Sequence, residues 1–262
     1  MKTVVLQSFR TTGVPDAIAR CLRSVEDWAR LRGYAYRFVD DSLFDDVPDW
    51  FRDKVAGDLL PMSDIARLQW MQRLLDDGCD RVIWLDADVL VFDPDRFIID
   101  IESEYAVGRE IWVRRGGRDR LLVTAGLHNA ALVFCRANSF LDFYRHACEA
   151  IVAGATAAIL SHQIGPDLLN RFADIIGDRV IPDVALFSPL VMSNIAKGGG
   201  RAIAAHGEAF AGPIRAANLC LSFLRRESSG VVIDEGVFNR AVDRLLETRG
   251  AVVNCETDKG TR

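Results

Sequence analysis

Two carboxylates that stand one residue apart are the first candidates for chemistry in this chain. Asp86 and Asp88 interrupt R-V-I-W-L-D-A-D-V-L-V-F, residues 81–92, with apolar runs on both sides. Like charges in such low-dielectric surroundings repel each other and are costly without a partner. A divalent cation with oxygen ligands is the simplest partner. A nucleophile–acid pair for phosphoryl transfer and a solvated turn after a strand are the other two interpretations of this spacing.

A second charged pair precedes these acids. Ser63, as an N-cap, predicts a helix that runs to about Asp77. Asp64 falls inside the apolar face of this helix and Arg67 at its edge. An acid and a base that point toward the core from the first turn predict a functional pair, and a structural Asp–Arg pair at i, i+3 is the alternative.

The elements that must position these residues alternate between strand and helix periods. Strands are predicted at 3–6, 34–39 and 81–85, with helices at about 16–32 and 63–77 between them. This order predicts an α/β fold with a Rossmann-like, mostly parallel central sheet and helices on both faces. Ligands of such sheets bind at the carboxyl ends of the strands, which is where Asp86 and Asp88 are expected.

Beyond residue 100 the pattern loosens. Short strand-like runs occur at 104–107, 111–114, 121–124 and 130–135, and helices are predicted at about 137–152, 155–176 (bent at Pro166) and 234–248. The later residues also contain short strands and a flexible G-G-G. We therefore predict one α/β domain over residues 1–262, whose second half elaborates around the sheet of the first.

Composition narrows the class of protein. Half of the 262 residues are hydrophobic and the formal net charge is −5, which gives no basic surplus for a nucleic acid partner. The six cysteines are scattered without a C-x-x-C, so we expect reduced thiols in a cytoplasmic protein. No stretch approaches the ~18 apolar residues of a membrane span, and the N-terminus lacks the apolar core of a signal peptide. Peripheral association with a membrane stays open.

The charged helix and the D-x-D strand together resemble a known family. S-D-I-A-R at 63–67, followed by the D-x-D segment at 81–92, is similar to the nucleotide-sugar-binding core of GT-A glycosyltransferases. The similarity is to the DxD group, which includes capsule and lipopolysaccharide sugar transferases, initiating mannosyltransferases and the glucosylating clostridial toxins. It implies a GT-A type fold and a hexosyl transfer, with retention, from a UDP- or GDP-sugar to a saccharide, glycolipid or other hydroxyl acceptor. It also implies a role in bacterial surface polysaccharide synthesis, with about 1–100 binding the donor and about 101–262 the acceptor.

The resemblance implies roles for the four charged residues. Asp64 and Asp86 match residues that contact the nucleoside. Asp88, with Asp86, matches the site of Mn²⁺ or Mg²⁺ on the diphosphate. Arg67 matches the arginine that orders the diphosphate–sugar end.

The N-terminus extends the resemblance to the first strand. T-V-V-L-Q-S-F-R at 3–10 looks like the family's first strand and nucleotide loop. Gln7 and Ser8 are thereby implied as donor contacts.

Downstream the resemblance thins. Asn129 before A-A-L-V-F is similar to an N-x-G/A segment at the family's active-site edge, and S-H-Q-I-G-P-D is similar to a helix start near the transferred sugar. Asn129, Gln163 and Asp167 are therefore candidates to face the anomeric carbon. A-A-H-G-E at 204–208 resembles a C-terminal histidine segment, which makes His206, expected after a short apolar strand, an implied third metal ligand.

Two other functions stay open. A haloacid-dehalogenase-like phosphatase also has an apolar strand before D-x-D, but its nucleophile follows the first strand, and here two strands and two helices come first. Such an enzyme also needs a later lysine, for which only Lys197 could serve. The other alternative is a non-catalytic domain that binds a nucleotide sugar, against which the intact acidic and basic set argues.

Overall fold

The computed structural model describes residues 1–228 and 230–254, and for Asp119 the backbone alone. The strands, in chain order, are β1 (Thr3–Ser8), β2 (Ala35–Val39), β3 (Arg81–Leu85), β4 (Val89–Val91), β5 (Tyr105–Arg115), β6 (Leu121–Cys135), β7 (Val184–Leu186), β8 (Ala216–Asn218), β9 (Glu227–Ser228) and β10 (Val231–Val232).

The helices cover the sheet and fill the C-terminal part. They are α1 (Asp16–Leu31), α2 (Asp49–Lys54), α3 (Leu59–Asp76), α4 (Phe140–Gly154), α5 (Pro166–Arg171), α6 (Ala173–Ile176), α7 (Pro189–Ala196), α8 (Arg201–Phe210) and α9 (Glu235–Glu247). Among the described residues, none of these helices has the length and apolar character needed to cross a bilayer.

The main sheet has five strands in the order β2–β1–β3–β6–β5. β1 pairs in parallel with β2 and with β3, whereas β6 is antiparallel to β3 and β5 is antiparallel to β6. All strands of this sheet except β6 therefore point the same way. The predicted α/β fold with a mostly parallel central sheet is confirmed.

Alternate residues of the central strands face two different helix layers. Trp84 of β3 packs in the core cluster that contains Leu68 of α3, and the neighbouring Ile83 packs with Trp28 of α1. Because successive side chains of a strand point to opposite faces, helices cover both sides of the sheet, as predicted.

Helix α3 begins earlier than the sequence predicts. Asp58, rather than Ser63, is its N-cap, and the Asp58 carboxylate accepts a hydrogen bond from the Leu60 backbone N–H at 3.0 Å. Pro61 lies in the first turn, where its missing N–H costs no helical hydrogen bond. Asp64 and Arg67 consequently occupy the second and third turns, where both are buried.

The second half contains longer strands and shorter helices than predicted. The four short strand-like runs are the two strands β5 and β6, with one bulge between Val107 and Gly108. Pro166 is the first residue of α5 rather than a bend in a longer helix, and 155–165 are not helical. Helices α7 and α8 fall where the sequence predicts only short strands and the G-G-G segment, which separates them.

A small second sheet brings the C-terminal part to the D-x-D turn. β4 pairs antiparallel with β8, which sets Val89 opposite Asn218, and β8 pairs in parallel with β7. The residues that follow β8 therefore lie beside Asp88, which directly precedes β4.

Candidate active site at the carboxyl edge of the sheet

Asp86 and Asp88 occupy the tight turn between β3 and β4. The backbone N–H of Asp86 donates to the Ala130 carbonyl at 2.8 Å, and the Val89 N–H closes the turn on the Asp86 carbonyl at 3.0 Å. The pair lies at the carboxyl end of a buried strand, as predicted. We call the side chains of Asp64, Asp86 and Asp88 the carboxylate edge.

The Arg67 guanidinium balances two of these three charges. Its Nη1 lies 3.0 Å from Asp86 Oδ1 and its Nη2 lies 3.2 Å from Asp64 Oδ1. The remaining N–H groups donate to the Asn129 carbonyl at 2.7 Å and to the carbonyl and hydroxyl of Ser63 at 3.2 and 3.4 Å. The guanidinium is thus engaged inside the protein by four hydrogen bonds and by the ion pair with Asp64. In this geometry Arg67 positions the carboxylates, and its implied contact with the diphosphate stays a prediction.

The balanced part of the edge is buried at Asp64 and Arg67 and half-buried at Asp86. Burial raises the pKa of Asp64 to about 6, against the opposing influence of Arg67 and Asn129. Burial also works against the charge on Arg67, but the carboxylates of Asp86 and Asp64 outweigh it and raise the guanidinium pKa. Trp84 adds support, since its Nε1 donates to Asp86 Oδ1 at 2.6 Å and its ring lies 5.1 Å from the guanidinium carbon.

The two hydrogen-bond donors that hold the Asp88 carboxylate are both uncharged. The Asn218 Nδ2 donates to one carboxylate oxygen at 2.6 Å and the Leu221 backbone N–H donates to the other at 2.7 Å. Within the part of the chain that the structure describes, no Lys, Arg or His forms an ion pair with it. Burial, and after it the charge of Asp86, raises the pKa of Asp88 to about 6. Asp88 therefore carries the uncompensated charge of the edge.

The donor set of the edge fits a hard divalent cation. Asp86 and Asp88 offer carboxylate oxygens, which Mg²⁺ and Mn²⁺ prefer, and the hydrogen bonds from Asn218 and Leu221 orient the Asp88 carboxylate as outer-shell partners do. Over residues 1–228 and 230–254, no group of three or more His, Cys, Asp or Glu side chains is arranged to hold a metal. One or two carboxylates are sufficient for a cation that completes its coordination with substrate phosphates and water.

His206 packs in the core beside β7. It belongs to the interior of α8 rather than following a strand, and only 1% of it is exposed. Its Nε2 lies 3.2 Å from the Leu186 carbonyl, and its ring contacts those of Phe187 and Phe210. Among the described residues the imidazole forms no metal-binding group with Asp86 and Asp88, and we assign it to the core that also contains the apolar side of α8.

Asn129 is brought into the edge. Its Nδ2 donates to Asp64 Oδ1 at 2.7 Å, and its carbonyl accepts from Arg67. Gly165, just before α5, packs directly on this pair: a Cβ there would come 2.6 Å from Asp64 Oδ2 and 2.8 Å from Asn129 Nδ2. The loop before α5 can close over Asp64 because residue 165 has no side chain.

Gln163 and Asp167 come from the same loop but lie at the rim. Gln163 Oε1 accepts from the Leu160 N–H at 3.1 Å, a contact within its own turn. Asp167 is exposed and its carboxylate lies 3.4 Å from His162 Nε2. Of the three candidates to face the anomeric carbon, the structure joins only Asn129 to the carboxylate edge by hydrogen bonds.

Gln7 supports the D-x-D turn from inside the protein. It is fully buried, its Nε2 donates to the Asp86 carbonyl at 3.1 Å, and its Oε1 accepts from the Tyr36 hydroxyl at 3.1 Å. Both ends of the amide are used, so Gln7 positions the turn, and its implied contact with the donor stays a prediction. Ser8, at the end of β1, is half-buried with its Oγ 3.5 Å from the Asp40 carbonyl.

Two residues near the edge were missed by sequence reasoning. Burial, and after it the charge of Asp167, raises the pKa of Glu110 on β5 to about 7. Burial, and after it the charges of Asp88, Glu110 and Asp86, raise the pKa of the Cys220 thiol. A single acid before the apolar I-W-V was the only signal for Glu110.

The other missed residue is Asn218. It meets Asp88 across 130 residues of chain, because β8 pairs with β4. The sequence contains no local pattern that links A-A-N to D-A-D.

The sequence matches no protein-family model, and no curated protein matches it. Solved structures do show likenesses. One is a glycosyltransferase involved in the glycosylation of the major capsid of PBCV-1, which is 10% identical, with 92% of this chain and 98% of that chain covered and a TM-score of 0.47. Another is mouse xyloside xylosyltransferase 1 in its apo form, 11% identical, with coverages of 84% and 98% and a TM-score of 0.41.

Two further likenesses are weaker. One is to a 4-diphosphocytidyl-2C-methyl-D-erythritol synthase from Anaerococcus prevotii, 9% identical, with coverages of 68% and 85% and a TM-score of 0.34. The other is to a mutant Drosophila β1,4-galactosyltransferase 7 in complex with manganese, UDP-Gal and xylobiose, 11% identical, with coverages of 52% and 50% and a TM-score of 0.25. Three of these four are glycosyltransferases. At TM-scores of 0.47 and below, the chemistry of this site has to be argued from its own residues.

Proposed function

We propose that this protein is a divalent-cation-dependent glycosyltransferase of the GT-A type that transfers a sugar from a UDP- or GDP-sugar to a hydroxyl acceptor. The observation that carries the proposal is the uneven charge of the carboxylate edge. Arg67 balances Asp64 and Asp86, whereas the half-buried Asp88 has neutral donors only. Mn²⁺ or Mg²⁺ on a diphosphate supplies the missing positive charge at the point where carboxylate oxygens can hold it.

The donor residues divide into contacts and supports. Asp86 uses only Oδ1 for Arg67 and Trp84, so its Oδ2 is the carboxylate oxygen we assign to the nucleoside and the cation. Asp64 is enclosed by Asn129 and Gly165, so we assign it, like Arg67, to holding the edge in place.

The chemistry of the step is electrostatic. When bound, the cation stabilises the negative charge that develops on the leaving diphosphate. The Asn218 amide and the Leu221 N–H hold the Asp88 carboxylate in one orientation. This orientation fixes the position at which its oxygens would bind the cation. The acceptor oxygen bonds to the anomeric carbon as the bond to the diphosphate breaks, and the acceptor's hydroxyl proton passes to the leaving diphosphate. We propose net retention, as in the group that the sequence resembles.

The acceptor saccharide is proposed to lie on the face of β5 that carries Glu110 and Trp112. These two residues alternate along the strand and so share a face, and the Trp112 ring lies 5.2 Å from that of Phe223. An aromatic surface receives the apolar face of a pyranose while a carboxylate accepts a hydrogen bond from one of its hydroxyls. This places the acceptor in the second half, 101–262, and the donor in the first, 1–100, of one domain.

The cellular setting follows the same resemblance. We propose a cytoplasmic role in bacterial surface polysaccharide synthesis. All five cysteines that the structure describes are free thiols, which suits a reducing compartment, and Cys255 lies outside the described residues.

Isothermal calorimetry with Mn²⁺ and a panel of nucleotide sugars tests the donor site. We expect metal-dependent binding of a UDP- or GDP-sugar, abolished in Asp88→Ala while the circular dichroism spectrum is unchanged. The matched control is Asp93→Ala, which removes a buried acid at the far end of β4 that pairs with Arg249 at 3.0 Å. Unchanged donor affinity in Asp88→Ala would sink the assignment.

The same preparations separate the alternatives. Release of phosphate from generic phosphoesters would support a phosphatase, and tight donor binding without slow donor hydrolysis would support a non-catalytic domain. For the acceptor side, Glu110→Gln should raise the acceptor KM and leave donor hydrolysis unchanged. A change in donor affinity instead would move Glu110 to the donor side.

A further inference from the structure

The turn that joins β5 to β6 concentrates positive charge on an acidic protein. Residues 114–120, R-R-G-G-R-D-R, contain four arginines and one aspartate, a net charge of +3 in a chain whose net charge is −5. Arg114, Arg115, Arg118 and Arg120 are all exposed. None of them forms an ion pair with any residue that the structure describes. Such a local surplus marks an electrostatic interaction surface.

This turn lies at the end of a hairpin that extends beyond the main sheet. β6 pairs with β3 only from Ala131 to Cys135, whereas its pairing with β5 continues to Arg115 and Leu121. The outer part of the two strands is therefore a two-stranded extension. We call residues 114–123 the hairpin tip.

Exposed aliphatic side chains lie among the arginines of the hairpin tip. Leu122 and Val123 are each 40% exposed, and Leu122 pairs directly with Arg114 across the two strands. Arginines beside exposed aliphatic residues suit the boundary between lipid headgroups and acyl chains. There the guanidinium groups contact phosphates and the aliphatic side chains leave water. The phosphates of a nucleic acid would bind the arginines but would not favour the exposed aliphatic side chains.

The acidic neighbours of the hairpin tip are few. Glu208 lines a surface depression of about 470 Å³ together with Arg120 and Arg201, so the depression itself has a net positive charge. Glu227 is turned toward its own hairpin, where it accepts a hydrogen bond from the Gly230 N–H. The positive surplus of the hairpin tip is therefore not cancelled by the residues beside it.

We propose that the hairpin tip docks this protein on an anionic lipid bilayer. The four arginines contact lipid phosphates, and Leu122 and Val123 enter the interface. Glu110, Trp112 and Arg114 share one face of β5, which at ~3.4 Å per residue puts Glu110 about 14 Å from Arg114, the innermost of the four arginines. Docking does not require a nucleotide sugar, so this inference is independent of the proposed function.

Vesicle flotation tests the docking with the full chain. Wild-type protein should float with vesicles of equal parts phosphatidylcholine and phosphatidylglycerol, should not float with phosphatidylcholine alone, and should be released by added KCl. Replacing the four arginines by glutamine should lower binding at least tenfold, since each basic residue near an anionic surface contributes about 1 kcal/mol. The matched control replaces Arg23, Arg96, Arg171 and Arg240, which are also exposed, by glutamine and should bind as wild type does.

Two further variants keep the test decisive. Replacing the four tip arginines by lysine retains the charge and should preserve flotation, even if the glutamine variant does not fold. Leu122→Ser with Val123→Ser should weaken binding by an amount that salt does not change, because it removes the apolar contribution. Equal flotation with both lipid compositions, equal losses in the tip and control variants, or binding to duplex RNA without binding to vesicles would each overturn the proposal.

Discussion

Asp86 and Asp88 are separated by a single residue, yet their negative charges meet different partners. Asp86 shares a buried arginine with Asp64 and accepts a further hydrogen bond from the Trp84 indole. Asp88 accepts hydrogen bonds from an amide and a backbone N–H, both of them neutral. The charge of Asp86 is balanced by a cation within the chain, whereas the charge of Asp88 is not.

This difference shows where a ligand's charge belongs. A buried ion pair that is complete fixes geometry, and breaking it leaves an uncompensated charge. A half-buried acid with neutral donors, such as Asp88, keeps its orientation but still lacks a counter-charge, which is the condition under which a cation binds. Substitutions can disturb the balanced side, the unbalanced side and the surroundings of both.

The largest effect is expected from Arg67→Met. Asp64 and Asp86 would lose their shared counter-charge, and the free energy of unfolding should fall by about 3–5 kcal/mol. Urea denaturation measures it. The control is Arg73→Met on the same helix, whose pair with Asp46 is 44% exposed on both sides and should contribute less than about 1 kcal/mol. Similar losses in the two variants would contradict the balancing role of Arg67.

Asn218→Asp should expose the charge deficit at Asp88. A fourth acid at the edge would replace a hydrogen-bond donor that lies 2.6 Å from Asp88, so in a chelating buffer the free energy of unfolding should fall by about 2–3 kcal/mol. Added Mn²⁺ should restore it. Asn138→Asp serves as the control, because the amide of Asn138 is also bonded at both ends but lies outside the edge, and Mn²⁺ should not restore its stability. Failure of Mn²⁺ to distinguish the two variants would count against a cation at Asp88.

Gly165→Ala should disturb the balanced side by contact alone. The backbone of Gly165 does not have a positive φ, so the cost comes from the new methyl group beside Asp64 Oδ2 and Asn129 Nδ2, about 1–3 kcal/mol by thermal or urea unfolding. Donor binding should weaken as well. Gly154→Ala, with no atom within 4 Å of the new Cβ, should be neutral. If both variants behave alike, the loop before α5 does not press on the edge.

His206→Phe should separate the core of α8 from the metal question. Burial lowers the pKa of His206 from 6.5 to about 4, so between these values the unfolded chain binds a proton that the native chain does not. Wild-type stability should therefore fall as the pH drops, by about 1–2 kcal/mol more than in the variant between about pH 7 and about pH 5. Urea titrations at the two pH values measure it. Metal-dependent donor binding should stay the same, and its loss would return His206 to the list of ligands.

The first half of the chain was predictable because its signals are local. The strand R-V-I-W-L was predicted with the bounds that β3 has, and the burial of Asp64 and Arg67 followed from helical spacing alone. The sequence predicts the start of this helix too late, because Ser63 is a good N-cap residue. Pro61 also makes the preceding turn, which Asp58 caps, look non-helical.

The second half was less predictable for reasons that lie in its packing. β5 and β6 extend beyond the sheet, so their outer residues alternate less clearly and the sequence suggested four short strands instead of two long ones. The short apolar run before His206 suits a strand or a buried helix equally well, and only the packing of α8 against Phe187 decides between them.

The sequence by itself determined that two acids stand in apolar surroundings at the end of a strand, and that an acid and a base precede them on a buried helix face. Both follow from the periods of strand and helix, which a short window contains. The tertiary structure alone decided which acid is balanced. Arg67 reaches Asp86 across 19 residues and Asn218 reaches Asp88 across 130, and electrostatic interactions depend on distance in space, which strand pairing sets.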